Sequence, residues 1–155
     1  MPDVALVDIA QGVRSTWTAA GASVTGTIPL TKLYFQRQPE GAALPYCVFE
    51  FKDVSAYFGG TEYFSGTKYV KATQITFKVY GASDFDFATF ATSLNAALGW
   101  GSASPAAAWT IPNATILSAM PEVEALEMEE ERIDGKDVIR YETTFTVKMQ
   151  ADRGT

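Results

Sequence analysis

The chain has 155 residues, of which 47% are hydrophobic and 19% charged. That balance fits one soluble globular domain, residues 1–155, with a real core, and it excludes a disordered chain. The formal charge is −6, with one cysteine and no histidine, which excludes histidine-based triads, most zinc sites and an internal disulfide. Residues 120–134 carry six Glu and one Asp against one Arg, so the rest of the chain is balanced at eleven acidic and eleven basic residues. With no basic stripe, tight nucleic-acid binding through phosphate neutralisation is not expected.

The N-terminal stretch MPDVALVDIAQ has early acidic residues and no basic region, so it is not expected to act as a secretory signal. Apolar runs fall short of the ~20 residues that span a bilayer, and no membrane partner is expected. The expected site of synthesis and assembly is the cytoplasm.

A first helix is expected over residues 1–22, with Asp3 as its cap, Gly21 as its end, and Val4, Val7, Ile9, Val13 and Trp17 as its apolar face. SVTGTIPLTK then reads as a connecting loop and KLYFQR as a short strand. The loop around Gln38-Pro39-Glu40-Gly41 has turn chemistry. Pro45 biases Leu44 toward an extended backbone, so a strand should begin at Tyr46. Within that strand, Cys47 reads as a small core hydrophobe.

Residues 46–80 read as a long antiparallel hairpin. Ile75, Phe77 and Val79 alternate with Gln74, Thr76 and Lys78, and the tip lies near Gly59 to Gly66. Tyr57, Phe58, Tyr63 and Phe64 cluster at that tip. Leaving such side chains in water forgoes roughly 1.5–3 kcal/mol each, so the tip is expected to touch a partner.

A second helix is expected over 84–98, with Ser83 and Asp86 as a capping pair and Phe87, Phe90, Ala91, Leu94 and Leu98 as its apolar stripe. GWGSASPAAAW reads as a linker and TIPNATILSAM as a weak strand, demoted by Pro112. Residues 120–150 form a C-terminal hairpin around Asp134-Gly135. In its first strand a phase change between Ala125 and Leu126 suggests a bulge. That bulge would bring Glu122, Glu124, Glu127, Glu129 and Glu131 onto one outward face. Such a ribbon suits either a solvated, edge-protecting face or a wall that repels a polyanion. The fold expected is α+β: a mainly antiparallel twisted sheet, two α-helices packed on one face, and a long protruding β-hairpin.

Catalytic chemistry finds little support. The glycines at 59–60 and 99–101 lack phosphate-loop or dinucleotide context. Asp84 and Asp86 read as charges at a helix N-terminus. No catalytic residue, metal or cofactor is expected.

Taken together, LYFQRQPEGAALPYCVFEF, the long hairpin, ITFKVYGASDFDFATFATSLNAAL and ERIDGKDVIRYETTFTVKM resemble the tail terminator, or tail-completion, proteins of long-tailed bacteriophages. The matching positions are Pro39, Gly41, Ala42, Pro45 and Tyr46; Phe77, Val79, Tyr80 and Ser83; and Arg140, Phe145 and Val147. The WGSASPAAAW linker departs from the family pattern. The resemblance implies a non-enzymatic structural protein of the virion, at the head-proximal end of the tail. It further implies a homo-oligomeric ring, generally a hexamer, that would cap the tail tube protein, stop its growth and dock a head-side connector, with DNA passing through the lumen without specific binding. On that basis Tyr57, Phe58, Tyr63, Phe64, Gly41, Ala42 and Ala43 are candidate interface residues, and Glu124, Glu127, Glu129 and Glu131 are candidate lumen-facing acids. The alternatives are another neck connector, a tail tube protein or, from a different class, a small-ligand-binding or carboxylate-based hydrolytic domain.

Overall fold

Ile9, Val13 and Trp17 recur every four residues along α1, Leu6–Ala19, and all three are buried. Val7 stays 69% exposed, contrary to its expected place on the apolar face. Two residues at about 100° each carry it to the far side of the helix from Ile9. A computed structural model of the chain describes residues 6–57, 68–98, 109–133 and 135–152, so the expected cap at Asp3 and the contribution of Val4 lie outside the described residues.

Gly21, at φ +81°, turns the chain out of α1 in a left-handed conformation that glycine adopts freely. Its carbonyl then accepts the N–H groups of Val24 and Thr25. The stretch expected to be a plain loop therefore contains a single helical turn, α2, Ala22–Thr25, which sends Val24 into the core.

Five strands form one sheet in the order β1-β2-β3-β5-β4: β1 Leu33–Phe35, β2 Tyr46–Tyr57, β3 Lys68–Ala82, β4 Ala114–Ile133 and β5 Lys136–Asp152. Three of the four pairings are antiparallel; β1 runs parallel to β2, with Leu33 opposite Cys47. A parallel neighbour needs a connection that returns the chain to the same end of the sheet. The loop 36–45 does this, with left-handed turns at Gln36 and Gly41 and a cis Leu44–Pro45 peptide. As expected, β2 begins at Tyr46 and pairs with β3 as a long hairpin. The hairpin tip, with Phe58, Tyr63 and Phe64, lies outside the described residues.

Both longer helices pack on one face. Trp17 of α1 stacks on Phe77 of β3 at 5.9 Å and meets Phe90 of the second helix at 6.3 Å. That helix, α3, spans Phe87–Ala97 and buries Phe90, Leu94 and Asn95. It starts three residues later than expected, because Asp86 is itself the cap. Its Oδ1 accepts the Thr89 N–H at 3.1 Å and its Oδ2 the Thr89 hydroxyl at 2.7 Å. Those two hydrogen bonds hold its carboxyl below the usual aspartate range.

Trp109 and Ile111 complete the core. The Trp109 indole N–H donates to Leu98 O at 3.0 Å, and the ring lies between Phe77 and Phe145. The backbone beside it rests on α1 at Gly12, where an added Cβ would come within 2.7 Å of Thr110 O and of the Ile111 side chain. Gly12→Val should therefore destabilise the fold by about 1–3 kcal/mol through overpacking. Urea denaturation with an unchanged midpoint would show that α1 does not bear on this segment.

One strand, β4, replaces the two expected on either side of Met120. Pro121 does not stop it, since β4 is a sheet edge and the register slips between Pro121 and Val123. An edge position or a bulge is where a residue without an N–H is tolerated. Further slips fall between Ile116 and Ser118 and between Met128 and Arg132, whereas Ala125 and Leu126 stay in continuous register. The bulge expected at 125/126 is thus displaced. The β4–β5 turn closes with Ile133 opposite Lys136 and Gly135 at φ +76°. None of the described helices is long and apolar enough to cross a membrane.

Candidate functional site

Continuous register through Leu126 decides where the glutamates go. Glu124 is opposite Thr143, on the face that carries the helices, while Glu127 is opposite Arg140, on the other face. The expected single ribbon is therefore split, for the simple reason that an odd spacing without a bulge inverts the side chain. Nothing is described of the side chains of Glu122 and Glu131.

On the helix face Glu124 belongs to a polar network. Asn95 of α3 donates through Nδ2 to Glu124 Oε2 at 2.8 Å and to the Tyr141 hydroxyl at 2.6 Å. The Tyr141 hydroxyl donates in turn to Glu124 Oε2. Thr143 donates to Asn95 Oδ1 at 3.2 Å. Burial, reinforced by the Glu124 hydrogen bond, pushes the Tyr141 hydroxyl above its ordinary value, so it stays protonated and remains a donor.

Both donors to Glu124 converge on Oε2, so among the described residues Oε1 is left to accept. The carboxylate sits in a groove of about 650 Å³ between α3 and β4, walled by Phe87, Ala88, Ala91, Thr92 and Leu126. At its outer side Leu126 and Met128 are 60% and 69% exposed. Apolar walls around one half-occupied carboxylate suit a cationic side chain with an aliphatic stem.

The helix-free face carries a different arrangement. Arg140 bonds Glu127, contacts Glu129 at 3.0 Å and lies 3.8 Å from Glu142, so three carboxylates surround one guanidinium. Lys78 pairs with Glu50 at 3.2 Å, the Thr76 and Thr144 hydroxyls bond at 3.0 Å, and Tyr46 stacks on Tyr80 at 5.0 Å.

Of the other candidate residues, Gly41 and Ala43 are exposed and Ala42 is half-buried in the loop 36–45. Ala43, Leu44 and Pro45 line a smaller groove of about 410 Å³ with Phe85, Asp84 and Lys136. There Lys136 bonds Asp84 at 2.6 Å, which holds that carboxyl low. Tyr57 is the last residue of β2, opposite Val70. Cys47 is fully buried, and that burial pushes its thiol far up, as a core cysteine should behave.

The sequence alone does not single out Asn95, Tyr141 or Thr143. Their signal was the placement of Tyr141 and Thr143 on the inward phase of β5, because buried polar groups require partners.

No family model matches the chain, and no curated protein matches it. Among solved structures it is similar to a chain from the virion of a native gene transfer agent particle, at 15% identity and a TM-score of 0.56. The alignment covers 92% of this chain and 98% of that one. At that identity the likeness establishes a shared fold.

Proposed function

We propose that this chain is a structural virion protein that forms a ring, of six copies, on the end of a phage-type tail tube. The ring ends tube growth, presents a docking surface to a head-side connector and lets DNA pass through its lumen. The observation that carries the proposal is the end-to-end fold likeness to a chain of a phage-like virion. The resemblance seen in the sequence supports it, and its matching positions fall on coherent elements: Pro39, Gly41, Ala42 and Pro45 in the loop 36–45, Phe77, Val79 and Tyr80 in β3, and Arg140, Phe145 and Val147 in β5.

The sheet has two unlike edges, short β1 and long β4. Unlike edges meet head to tail, and a head-to-tail contact closes into a ring when its rotation divides the circle. In this reading the helix-free face lines the lumen. Around Arg140, Glu127, Glu129 and Glu142 leave a local acidic excess, while Lys78 is paired with Glu50 and Lys148 is exposed elsewhere on that face. In this reading the local excess at the β4 side is what keeps DNA from sticking. Glu124 is reassigned to the groove. The hairpin tip (Tyr57, Phe58, Tyr63 and Phe64) and the loop with Gly41, Ala42 and Ala43 make protein contacts.

The purified chain, mixed with the tail tube protein of the same particle, should give closed rings at the ends of tubes of limited length by electron microscopy, with a sixfold mass by sedimentation. A monomer that ignores the tube ends would overturn the reading. Open-ended tubes made by the chain alone would replace it with a tube-protein assignment.

A further inference from the structure

We infer that the α3–β4 groove receives Phe35 and Arg37 of a second copy of this chain, with Arg37 paired to Glu124. The inference rests on the ring reading and supplies its contact. Residue pairing across the sheet gives one continuous row: Phe35 opposite Phe49, Phe49 opposite Phe77, Phe77 opposite Thr143, and Thr143 opposite Glu124. All five share the face that carries the helices. One end of the row is an aromatic at the β1 edge, and the other is a carboxylate in a groove at the β4 edge. Placing β1 of one copy beside β4 of the next continues the row.

Charge and apolar surface agree with that placement. Among the described residues three cations are exposed: Arg37, Lys136 and Lys148. Lys136 already bonds Asp84. Lys148 belongs to β5, inside the sheet, and its partners Ala72 and Ser118 put it on the face opposite the groove. Arg37 remains, two residues beyond Phe35, where the left-handed Gln36 turns the chain away from β1. Residues 27–39 contain Lys32 and Arg37 and no acid, whereas β4 at the opposite sheet edge is rich in glutamate. Phe35 is 39% exposed although it packs on Phe49 and Phe51 at 5.1 Å. Its free side matches the exposed Leu126 and Met128. A planar guanidinium against a carboxylate oxygen that still accepts is the stronger kind of ion pair.

The test is complementation between two charge reversals. In sedimentation at a concentration where the wild type assembles, Glu124→Lys alone and Arg37→Glu alone should each weaken association by about tenfold or more. A 1:1 mixture of the two should restore it, because alternating copies pair the new lysine with the new glutamate and the old glutamate with the old arginine. Circular dichroism melts check that each variant folds. Leu126→Arg, at an exposed position outside the Asn95 network, should weaken association without affecting the melt. Single variants that assemble like the wild type, or a mixture no better than its parts, overturn the pairing while the ring stands. A groove that becomes protected only when another virion protein is added overturns the second copy as its occupant. A wild type that stays monomeric at tube ends overturns both the pairing and the ring.

Discussion

Replacing Trp17 by alanine should lower the free energy of unfolding by about 3–5 kcal/mol, the range for truncating a large buried aromatic. Trp17 is 1% exposed, and it ties α1 to both the sheet, through Phe77, and α3, through Phe90. Its indole N–H also donates to Ile28 O at 3.0 Å. Truncation therefore adds an orphaned buried carbonyl to the cavity. Trp17→Phe should keep most of the packing and lose that hydrogen bond, costing about 1–2 kcal/mol. Phe35→Ala, at a partly exposed edge, should cost about 1 kcal/mol or less in the isolated chain. Urea denaturation orders the three variants. A Trp17→Ala loss no larger than that of Phe35→Ala would mean that the layers do not meet at Trp17.

The elements with clean periodicity were readable in the sequence. The stripe of α3 and the alternation of β5 each bury one set of side chains, so spacing alone reports the face. The long β2–β3 hairpin was readable for the same reason, and the α+β layering followed from the order of elements. Harder to read was anything decided by a neighbour. The segments on either side of Met120 read as two strands, yet one edge strand with a register slip runs through Pro121. Leu33 to Phe35 look like any short strand, and nothing local says that they pair in parallel. Trp109 and Ile111 follow a stretch of small residues, and only the fold shows that they fill the space between α1 and the sheet.

The glutamates show how far one register error travels. A phase change in apolar alternation and a true bulge look alike in sequence. A slip at 125/126 would put Glu124 beside Glu127, whereas the observed register sends them to opposite faces. With that change Glu124 leaves a repulsive wall and joins Asn95 and Tyr141 in a groove. The aromatic signal behaved differently: the sequence marks Phe58, Tyr63 and Phe64 as needing a partner, and they remain proposed contacts.

The network around Glu124 also gives the largest expected pH effect. Asn95→Asp replaces a donor at 2.8 Å from Glu124 Oε2 with a second carboxylate, without adding bulk. Two carboxylates at that distance cannot both ionise cheaply, so the new carboxyl at position 95, buried where the Asn95 amide is, acquires a raised pKa in the folded state. A raise of up to about two units, with Glu124 itself exposed to screening solvent, corresponds to about 2.7 kcal/mol or less of lost stability at neutral pH. The sign follows from linkage: the folded variant binds a proton that the unfolded chain has released, so the penalty is full above the raised folded value. It shrinks as pH falls through that value and vanishes below the unfolded carboxylate value of about 4. Denaturation of variant and wild type at matched pH should therefore show a gap near neutrality that closes between about pH 6 and 4. Asn95→Leu serves as the contrast. It leaves Thr143 without its acceptor and should cost about 1–3 kcal/mol with no such closing. A gap for Asn95→Asp that is constant with pH would show that Glu124 is solvated instead of held by α3. The groove would then lose the fixed carboxylate that makes it a receptor for a cation.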